Sequence, residues 1–325
     1  MGRKKKENML VSAGGVVLLL ILAGCLFLLY FSRNKNRQEE SQKKIGAVYM
    51  TMNNPYFEVI DEKIKAVVRS RGDVMVARDS AMDAEMQNRQ IKKLIEEKVD
   101  ILLINAVDWK KIREGLEAAK MADIPVLAVD AEVYDTSLVE GTVVSDNYAA
   151  GELCALDLMK KREGGKILFL IQKPNKSAVD RVRGFKDTLD KAGWPYETVG
   201  ELDCQGQLEV AQPMVEKVLE ERRDIDVVMG LNDPSSLGAM AALDAVGMLP
   251  EVLVYSVDGA PESKTMIYEG RMTATAAQSP TQMGTVTAEL LYKKLAGESV
   301  PEKTTIPVEL ITGENIGEYS LGEWE

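Results

Sequence analysis

Short apolar runs alternate with amphipathic stretches along most of the chain, and this alternation constrains the fold more than any other feature. Residues 100–104 form an almost continuously apolar run, which predicts a strand buried on both faces of a parallel sheet. Residues 57–70 carry apolar side chains at helical spacing, among them Ile60, Ile64 and Val68. Strand and helix repeated in this order predict right-handed βαβ units and a doubly wound α/β sheet.

The alternation occurs twice, on either side of a crossing region at residues 141–144. The predicted strands cover residues 45–50, 74–76, 100–104, 125–129, 166–170, 196–202, 225–229, 252–257 and 272–276. The predicted helices cover residues 57–70, 84–97, 109–121, 147–161, 178–192, 208–221, 236–246 and 281–295. Two doubly wound units predict two lobes with a cleft, and ligands of such sheets bind beyond the carboxyl ends of the strands.

The first 44 residues differ in composition from the rest. A basic segment, residues 1–8, precedes an uncharged run over residues 9–31, which as a helix would be long enough to span a bilayer. Residues 22–25 match a lipoprotein box in which Cys25 is the possible lipid anchor, but the apolar run continues past the cysteine and favours an uncleaved transmembrane anchor. The denser basic cluster before the run orients the body outside the cell membrane. Residues 32–44 are polar and are interpreted as a tether.

The residue counts exclude several classes of site. Among 325 residues there is no histidine, which removes Ser-His-Asp and Cys-His catalysis and most transition-metal sites. No GxGxxG follows the first strand and no GxxxxGK[ST] occurs, so the common nucleotide-binding signatures are missing. Cys154 and Cys204 form no CxxC pair, and buried free thiols are favoured over a bridge between them. The net charge is −11 and residues of both signs are interspersed, so the sequence shows no basic cluster of the kind that binds nucleic acid.

Polar side chains follow the predicted strands, at the ends where a cleft between two lobes would lie. They are Asn53, Asn54, Asn105, Asp108, Asp130, Asn147, Asn232, Asp258 and Gln278. Carboxylates and amides hydrogen-bond vicinal hydroxyls, and aromatic faces cover the apolar face of a sugar ring. The same residue types also cap helices, and Asn147 and Asp108 are interpreted mainly as caps. Several such residues in one register in both halves favour a sugar site.

Eight short stretches match a known family in order and spacing. They are TMNNPYF (51–57), LLINAVD (102–108), PVLAVD (125–130), SDN (145–147), RVRGF (181–185), LND (231–233), VDG (257–259) and AQ (277–278). Through them, about residues 44–313 resemble the ribose-binding-protein group of periplasmic sugar-binding proteins, which have the type I periplasmic fold. The resemblance implies two doubly wound lobes: residues 45–145 with about 279–308, and residues 146–278 with about 309–325.

Carried over position by position, the resemblance implies a ligand pocket. Its members are Asn54, Tyr56, Phe57, Asp130, Arg181, Asn232, Asp258 and Gln278. In this pocket Asn54 would bond a hydroxyl, Tyr56 and Phe57 would supply aromatic faces, and Asp130 would accept from ring hydroxyls. The other four would contribute from the second lobe or the hinge. The resemblance also implies no catalysis, no cofactor and a monomer.

Two positions depart from the ribose-binding pattern. Members that bind ribose carry arginine directly after the equivalent of Asp130 and an aromatic residue near position 204, where this chain has Ala131 and Cys204. This chain therefore lacks one guanidinium group and one aromatic ring of the ribose-binding pattern. The departures weigh against ribose and leave room for a larger sugar, a modified sugar or another polyol. Glu132 is a further residue near this position, with no role assigned to it.

Lobe closure over a sugar would change the surface shown to a membrane partner. The partner is expected to be an ABC importer, or alternatively a sensor kinase, which a transmembrane anchor could pair with laterally. The alternative from the enzyme class is a carboxylate-based glycosidase, which needs two carboxylates about 5 Å apart in its retaining form; Asp130 and Asp258 are the candidates. A sugar-responsive transcriptional regulator would carry a helix-turn-helix where this chain has residues 9–31. Extracytoplasmic sugar binding without catalysis is the favoured interpretation.

Overall fold

The computed structural model describes residues 42–325. The unit from Lys44 to Glu325 contains two six-stranded sheets. The predicted membrane anchor, the possible lipidation site at Cys25 and most of the tether lie outside the described residues. Among residues 42–325, no helix is both long enough and apolar enough to cross a membrane.

Strands and helices alternate through most of this unit, as the sequence predicts. In chain order the strands are β1 (Lys44–Tyr49), β2 (Val74–Asp79), β3 (Ile101–Ile104), β4 (Val126–Val129), β5 (Gly141–Ser145), β6 (Gly165–Ile171), β7 (Tyr196–Asp203), β8 (Val227–Gly230), β9 (Leu253–Asp258), β10 (Ala274–Ala277), β11 (Lys303–Ile306) and β12 (Glu309–Thr312). The α-helices are α1 (Pro55–Ser70), α2 (Ala84–Glu96), α3 (Arg113–Met121), α4 (Asn147–Lys161), α5 (Lys176–Ala192), α6 (Leu208–Glu221), α7 (Asp233–Ala245), α8 (Pro261–Tyr268) and α9 (Pro280–Leu295).

Each lobe is built on one sheet. The first sheet has the order β11-β5-β4-β3-β1-β2 and the second the order β12-β10-β9-β8-β6-β7. All neighbouring strands are parallel except β10 and β12, which pair antiparallel. The chain passes between the sheets after β5, after β10 and between β11 and β12, so three short crossings join the lobes. The two doubly wound lobes of the type I periplasmic fold are thereby confirmed.

Helices cover both faces of the first sheet because alternate residues of its strands point to opposite sides. Tyr49 of β1 packs in an apolar cluster with Ile60 and Ile64 of α1. The neighbouring Val48 packs on the other face with Ile91 and other residues of α2 and α3. Because the strands are buried on both faces, their sequences are continuously apolar and do not alternate between apolar and polar residues.

The fold differs from the sequence prediction at five elements, which are α3, β5, α8, β11 and β12. Helix α3 begins at Arg113 rather than at residue 109, because the Asp108 carboxylate accepts the N–H groups of Lys110 (2.9 Å) and Lys111 (3.0 Å) and holds a turn there. Residues 141–144, interpreted as a crossing region, belong to β5. Helix α8 and the four-residue strands β11 and β12 were not predicted. These elements are short and mix polar with apolar residues, so their periodicity is weak.

Both cysteines of the described part of the chain are buried free thiols, as predicted. The Cys154 thiol donates to the Ser256 carbonyl oxygen at 3.6 Å. Burial raises the pKa of the Cys154 thiol well above its ordinary value. Burial likewise raises the pKa of Cys204 to about 11. Both side chains therefore act as small apolar residues of the second lobe.

Candidate functional site

A cavity lies between the lobes, beyond the carboxyl ends of strands from both sheets. The cavity and its mouth contain about 430 Å³ of space that no protein atom fills, including solvent space at the mouth. The structure brings to its wall all eight residues predicted for the pocket, which are Asn54, Tyr56, Phe57, Asp130, Arg181, Asn232, Asp258 and Gln278. They come from segments up to 224 residues apart (278 − 54), which only the packing of the two lobes brings together.

Asn54 is both a helix cap and a wall residue. Its carboxamide oxygen accepts the backbone N–H of Tyr56 at 3.0 Å and so begins α1. This leaves its amide nitrogen with no hydrogen-bond partner among residues 42–325. The capping and ligand-binding interpretations are therefore compatible at this position, since they use different atoms of one side chain.

The two aromatic side chains at the start of α1 form one side of the cavity. The rings of Tyr56 and Phe57 meet edge to face, with centroids 5.5 Å apart. Phe57 also contacts the ring of Tyr49 in the core of the lobe, at 6.4 Å. The Tyr56 hydroxyl donates to the carboxamide oxygen of Gln278 at 3.3 Å. Phe57 is thus at once a core residue and a wall residue, and Tyr56 connects the first lobe to a crossing.

Asp130 directly follows β4 in a left-handed backbone conformation, with φ of +67°. One carboxylate oxygen accepts from the amide of Asn105 at 3.1 Å. The other is buried and has no partner in the described residues. Its backbone carbonyl accepts the hydroxyl of Ser177, on α5 in the second lobe, at 2.9 Å. Burial raises the pKa of the Asp130 carboxyl, and the nearby positive charge of Arg181 opposes this rise.

Arg181 lies on α5 and is only 5% exposed. Its Nε donates to the Asn147 carboxamide oxygen at 2.8 Å, and its Nη1 donates to the Leu231 carbonyl at 2.7 Å. The same Nη1 is 3.7 Å from a carboxylate oxygen of Asp258. Asn147 was interpreted mainly as a cap, and this is wrong. The cap of α4 is Asp146, which accepts the Ala149 N–H at 3.0 Å, while Asn147 holds the guanidinium in place.

Asp258 ends β9 and faces the same cavity. One carboxylate oxygen accepts from the Gln278 amide at 2.7 Å. The other is buried without a partner in the part of the chain that the structure describes. Burial, and then the negative charge of Asp233, raise the pKa of the Asp258 carboxyl well above its ordinary value, and Arg181 opposes this. A buried oxygen without a donor is therefore present on each side of the cavity.

Asn232 completes the predicted set at the start of α7. Its oxygen accepts the Ser235 N–H at 3.1 Å as the helix cap, and its nitrogen donates to the Gly206 carbonyl at 3.0 Å. Ala131 is buried beside Asp130. Glu132 instead forms an ion pair with Lys303 of β11 and does not line the cavity.

Four amide side chains line the cavity in addition to the predicted residues: Gln172, Asn175, Gln205 and Gln207. Gln172 directly follows β6 and Gln205 lies two residues after β7. Asp130 and Asp258 were predicted because they are polar residues that follow strands. The same criterion, applied to β6 and β7, would have predicted Gln172 and Gln205. Asn175 caps α5 by accepting the Ala178 N–H at 2.9 Å. The wall from the second lobe is consequently rich in groups that both donate and accept hydrogen bonds.

The lobes also contact each other directly around the cavity. The Trp109 N–H donates to the Pro174 carbonyl at 3.0 Å. The Asn53 amide donates to side-chain oxygens of Gln207 and Glu209, each at 3.1 Å. These bonds cross between the lobes, so the structure shows a closed arrangement in which the cleft walls already meet. Within residues 42–325, no group of three or more His, Cys, Asp or Glu side chains is arranged to hold a metal ion.

Comparisons with known proteins match this chain to binding proteins. A family model described as a periplasmic binding protein domain matches residues 45–299. The ribose import binding protein RbsB of Bacillus subtilis (strain 168) is 28% identical over 284 residues, covering 87% of this chain and 91% of that protein. The galactofuranose-binding protein YtfQ of Escherichia coli (strain K12) is 27% identical over 258 residues, covering 74% and 79%.

Solved structures agree with this match. An ABC transporter solute binding protein from Mycobacterium smegmatis, with bound glycerol, has a TM-score of 0.81 at 29% identity and covers 88% of this chain and 100% of its own. A second, from Bacillus halodurans with bound myo-inositol, has a TM-score of 0.79 and covers 86% of this chain and 97% of its own. Its identity of 24% makes this second likeness one of fold alone.

Proposed function

The chain belongs to the family of periplasmic binding protein domains, and from this premise we propose that it captures a small carbohydrate or polyol in the cavity between its lobes. One observation carries the proposal. Asp130 and Asp258 each present a buried carboxylate oxygen that lacks a partner among the described residues, and both line the same cavity. Buried acceptors without donors are unfavourable by about 1–3 kcal/mol each. A ligand with several hydroxyl groups supplies the missing donors.

The rest of the wall fits the same ligand class. The free amide nitrogen of Asn54 can donate to a hydroxyl oxygen, and the rings of Tyr56 and Phe57 offer an apolar surface to the C–H face of a sugar. Arg181 is fixed by two hydrogen bonds within the protein, so little side-chain freedom is lost when a ligand binds. A preorganised wall of this kind favours binding over chemistry.

We propose no catalytic step. Asp258, one of the two carboxylates that a glycosidase would need, already accepts from Gln278 and lies 3.7 Å from the guanidinium of Arg181. The Asp258 carboxylate is thus already engaged by protein groups on one of its oxygens. The family that the chain matches is, moreover, one of binding proteins.

Delivery to an ABC importer is the proposed consequence of binding. Two lobes joined by three crossings can close as a hinge over a ligand, and the closed form would present a different surface to a membrane partner. Relatives with import functions in their names support this step. The proposal includes an extracytoplasmic body that acts as a monomer and is tethered to the cell membrane through residues 9–31.

A ligand screen of the full-length protein tests the proposal. Pentoses, hexoses, deoxysugars, polyols, disaccharides and nucleosides are added singly, and the melting temperature is measured. A ligand at 100 times its dissociation constant stabilises the fold by about 2.7 kcal/mol, which for a protein of this size is a rise of roughly 5 °C or more. Asp130→Asn is the matched control. It keeps an oxygen for Asn105 and tolerates the left-handed backbone, but it removes the ionised acceptor and should lose the rise.

A protein that melts cooperatively and responds to no carbohydrate or polyol would contradict the proposed function. So would a response that is unchanged in Asp130→Asn, because the ligand would then bind elsewhere.

Binding should weaken as the pH falls, and should do so above the pH at which an ordinary aspartate titrates. Burial raises the pKa of Asp130 and of Asp258 from the ordinary value of 3.8. Hydroxyl donors need the ionised carboxylate, so below the raised pKa a proton must leave before the ligand binds. Affinity then falls about tenfold per pH unit for each proton released. Titration calorimetry between about pH 7.5 and about pH 4.5 measures both the affinity and the protons released. An affinity that stays constant over this range while the protein remains folded would refute the prediction.

A further inference from the structure

The cavity holds more negative than positive charge. Its wall contains two carboxylates, Asp130 and Asp258, and one guanidinium, Arg181, and the described residues add no other charged side chain to it. The formal charge of the wall is therefore −1 (one minus two) when both carboxylates are ionised. Behind the wall lies the fully buried Asp233, whose negative charge acts on Asp258. Burial raises the pKa of the Asp233 carboxyl, and hydrogen bonds from Thr275 and the Ala260 N–H, at 2.8 and 2.7 Å, oppose this rise.

Arg181 cannot balance both carboxylates. Its Nε and Nη1 donate to Asn147 and to the Leu231 carbonyl. Its closest approach to a carboxylate is the 3.7 Å contact with Asp258. Asp130, by contrast, accepts from the neutral amide of Asn105 at 3.1 Å, and the neutral Tyr56 hydroxyl, which lowers the pKa of the Asp130 carboxyl, brings no positive charge either. When both are ionised, the excess negative charge is therefore shared between two buried carboxylates that line one cavity and that repel each other.

A buried charge without a counter-charge is strongly unfavourable, and a neutral ligand does not remove this cost. Hydroxyl groups satisfy the free oxygens of Asp130 and Asp258 but bring no positive charge. An alkylammonium group brings three N–H donors and one positive charge, and charge-assisted hydrogen bonds are roughly twice as strong as neutral ones. The pKa of each carboxyl is raised for the same reason, because burial makes the negatively charged form unfavourable.

We propose that the preferred ligand of this cavity is a polyhydroxylated compound that carries a protonated amine, such as an amino sugar or an amino polyol. The inference rests on the proposed function and narrows its ligand class. The amine replaces one hydroxyl and lies against the free oxygens of Asp130 and Asp258, while the remaining hydroxyls meet the amides of the second lobe. By the same argument, the cavity excludes sugar acids, whose carboxylate would add a third negative charge to the cavity.

Matched ligand pairs of equal size test the inference on the full-length protein. The pairs are D-glucosamine with D-glucose, D-galactosamine with D-galactose, and 1-amino-1-deoxy-D-glucitol with D-glucitol. Titration calorimetry near neutral pH gives each dissociation constant. At least one amine is expected to bind at least about tenfold more tightly than its hydroxyl partner, a difference of about 1.4 kcal/mol. N-acetyl-D-glucosamine, which keeps the nitrogen but not the charge, should lose the preference, and D-gluconate should not bind.

Asp258→Asn separates the effect of charge from that of shape. Asparagine keeps the length of the side chain and an oxygen for Gln278, so the charge is the main change. Both ligands should bind more weakly, but the ratio of their dissociation constants should fall from about tenfold to less than about threefold. Asp130→Asn repeats this comparison of dissociation constants from the other lobe, at the higher ligand concentrations that its weakened binding requires, should Asp258→Asn not fold. A preference that survives both substitutions overturns the inference.

The outcomes also separate this inference from the proposed function. Neutral sugars that bind as tightly as their amines, or more tightly, refute the amine and leave sugar binding intact. If neither the amines nor any compound of the wider screen binds, both the inference and the proposed function fail.

Discussion

Replacing Gly151 by alanine should lower the melting temperature by several degrees and weaken ligand binding. Gly151 lies on α4, where that helix crosses α5. A Cβ atom at this position would overlap the Arg181 carbonyl oxygen and lie 2.7 Å from the Phe185 backbone nitrogen. Both are backbone atoms, so no side chain can rotate away and the helices must separate. Overpacking typically costs about 1–3 kcal/mol, and we expect a value at or above the upper end of this range.

Ligand binding should weaken because α5 carries Arg181, a residue of the cavity wall. The residue whose carbonyl oxygen would be displaced is Arg181 itself, so a shift of α5 moves the guanidinium relative to Asp258 and Leu231. A misplacement of this kind by about 1 Å is enough to weaken a preorganised site strongly. We expect the dissociation constant for any ligand found in the screen to rise by at least about tenfold. Thermal melting and titration calorimetry measure the two effects.

Two further variants make this test specific. Gly184→Ala is the reciprocal change on α5, because its Cβ would overlap the Tyr148 carbonyl oxygen on α4. It should reproduce the loss of stability. Gly313→Ala is the matched control, since nothing lies within 4 Å of its Cβ position, and it should change the free energy of unfolding by no more than about 0.5 kcal/mol. Wild-type stability and affinity in Gly151→Ala would show that the crossing is looser than its geometry implies.

The sequence contains enough information to predict eight residues of the cavity wall, though not their connections. Asp130 and Asp258 were found because both follow buried strands, and parallel strands bring their carboxyl ends to one edge of a sheet. The roles of neighbouring polar residues depend on where helices cross. Asn147 accepts from Arg181, 34 residues later, and no local pattern distinguishes this bond from a helix cap one residue earlier, at Asp146.

The lobe boundaries show a related limit. Strands β11 and β12 contain four residues each and lie at the edges of their sheets. A short edge strand is partly exposed, so its sequence lacks the continuous apolar run that identifies a central strand. The resemblance to a known family, rather than periodicity, suggested that residues near 308 divide between the lobes. In the structure β11 joins the first sheet and β12 the second.

Arg181→Met should abolish measurable ligand binding and lower the free energy of unfolding by about 3–5 kcal/mol. Methionine has a similar length but no charge and no donor. Asp258 would lose the only cation within 4 Å that the structure shows for it, and Asn147 and the Leu231 carbonyl would each lose a hydrogen bond. All of these groups are buried, so water cannot readily replace the guanidinium. Denaturant melts and titration calorimetry give the stability and the affinity.

A double variant and a matched control separate the causes of this loss. If the unpaired charge of Asp258 dominates, Asp258→Asn added to Arg181→Met should restore about 1–3 kcal/mol of stability without restoring binding. Arg183→Met changes the same residue type on the same helix, where the side chain is 55% exposed and pairs with Asp180 at 3.1 Å. It should cost no more than about 0.5 kcal/mol and leave affinity unchanged. If Arg181→Met were as stable as Arg183→Met and bound ligand normally, the guanidinium would not be what holds the second lobe's side of the cavity in place.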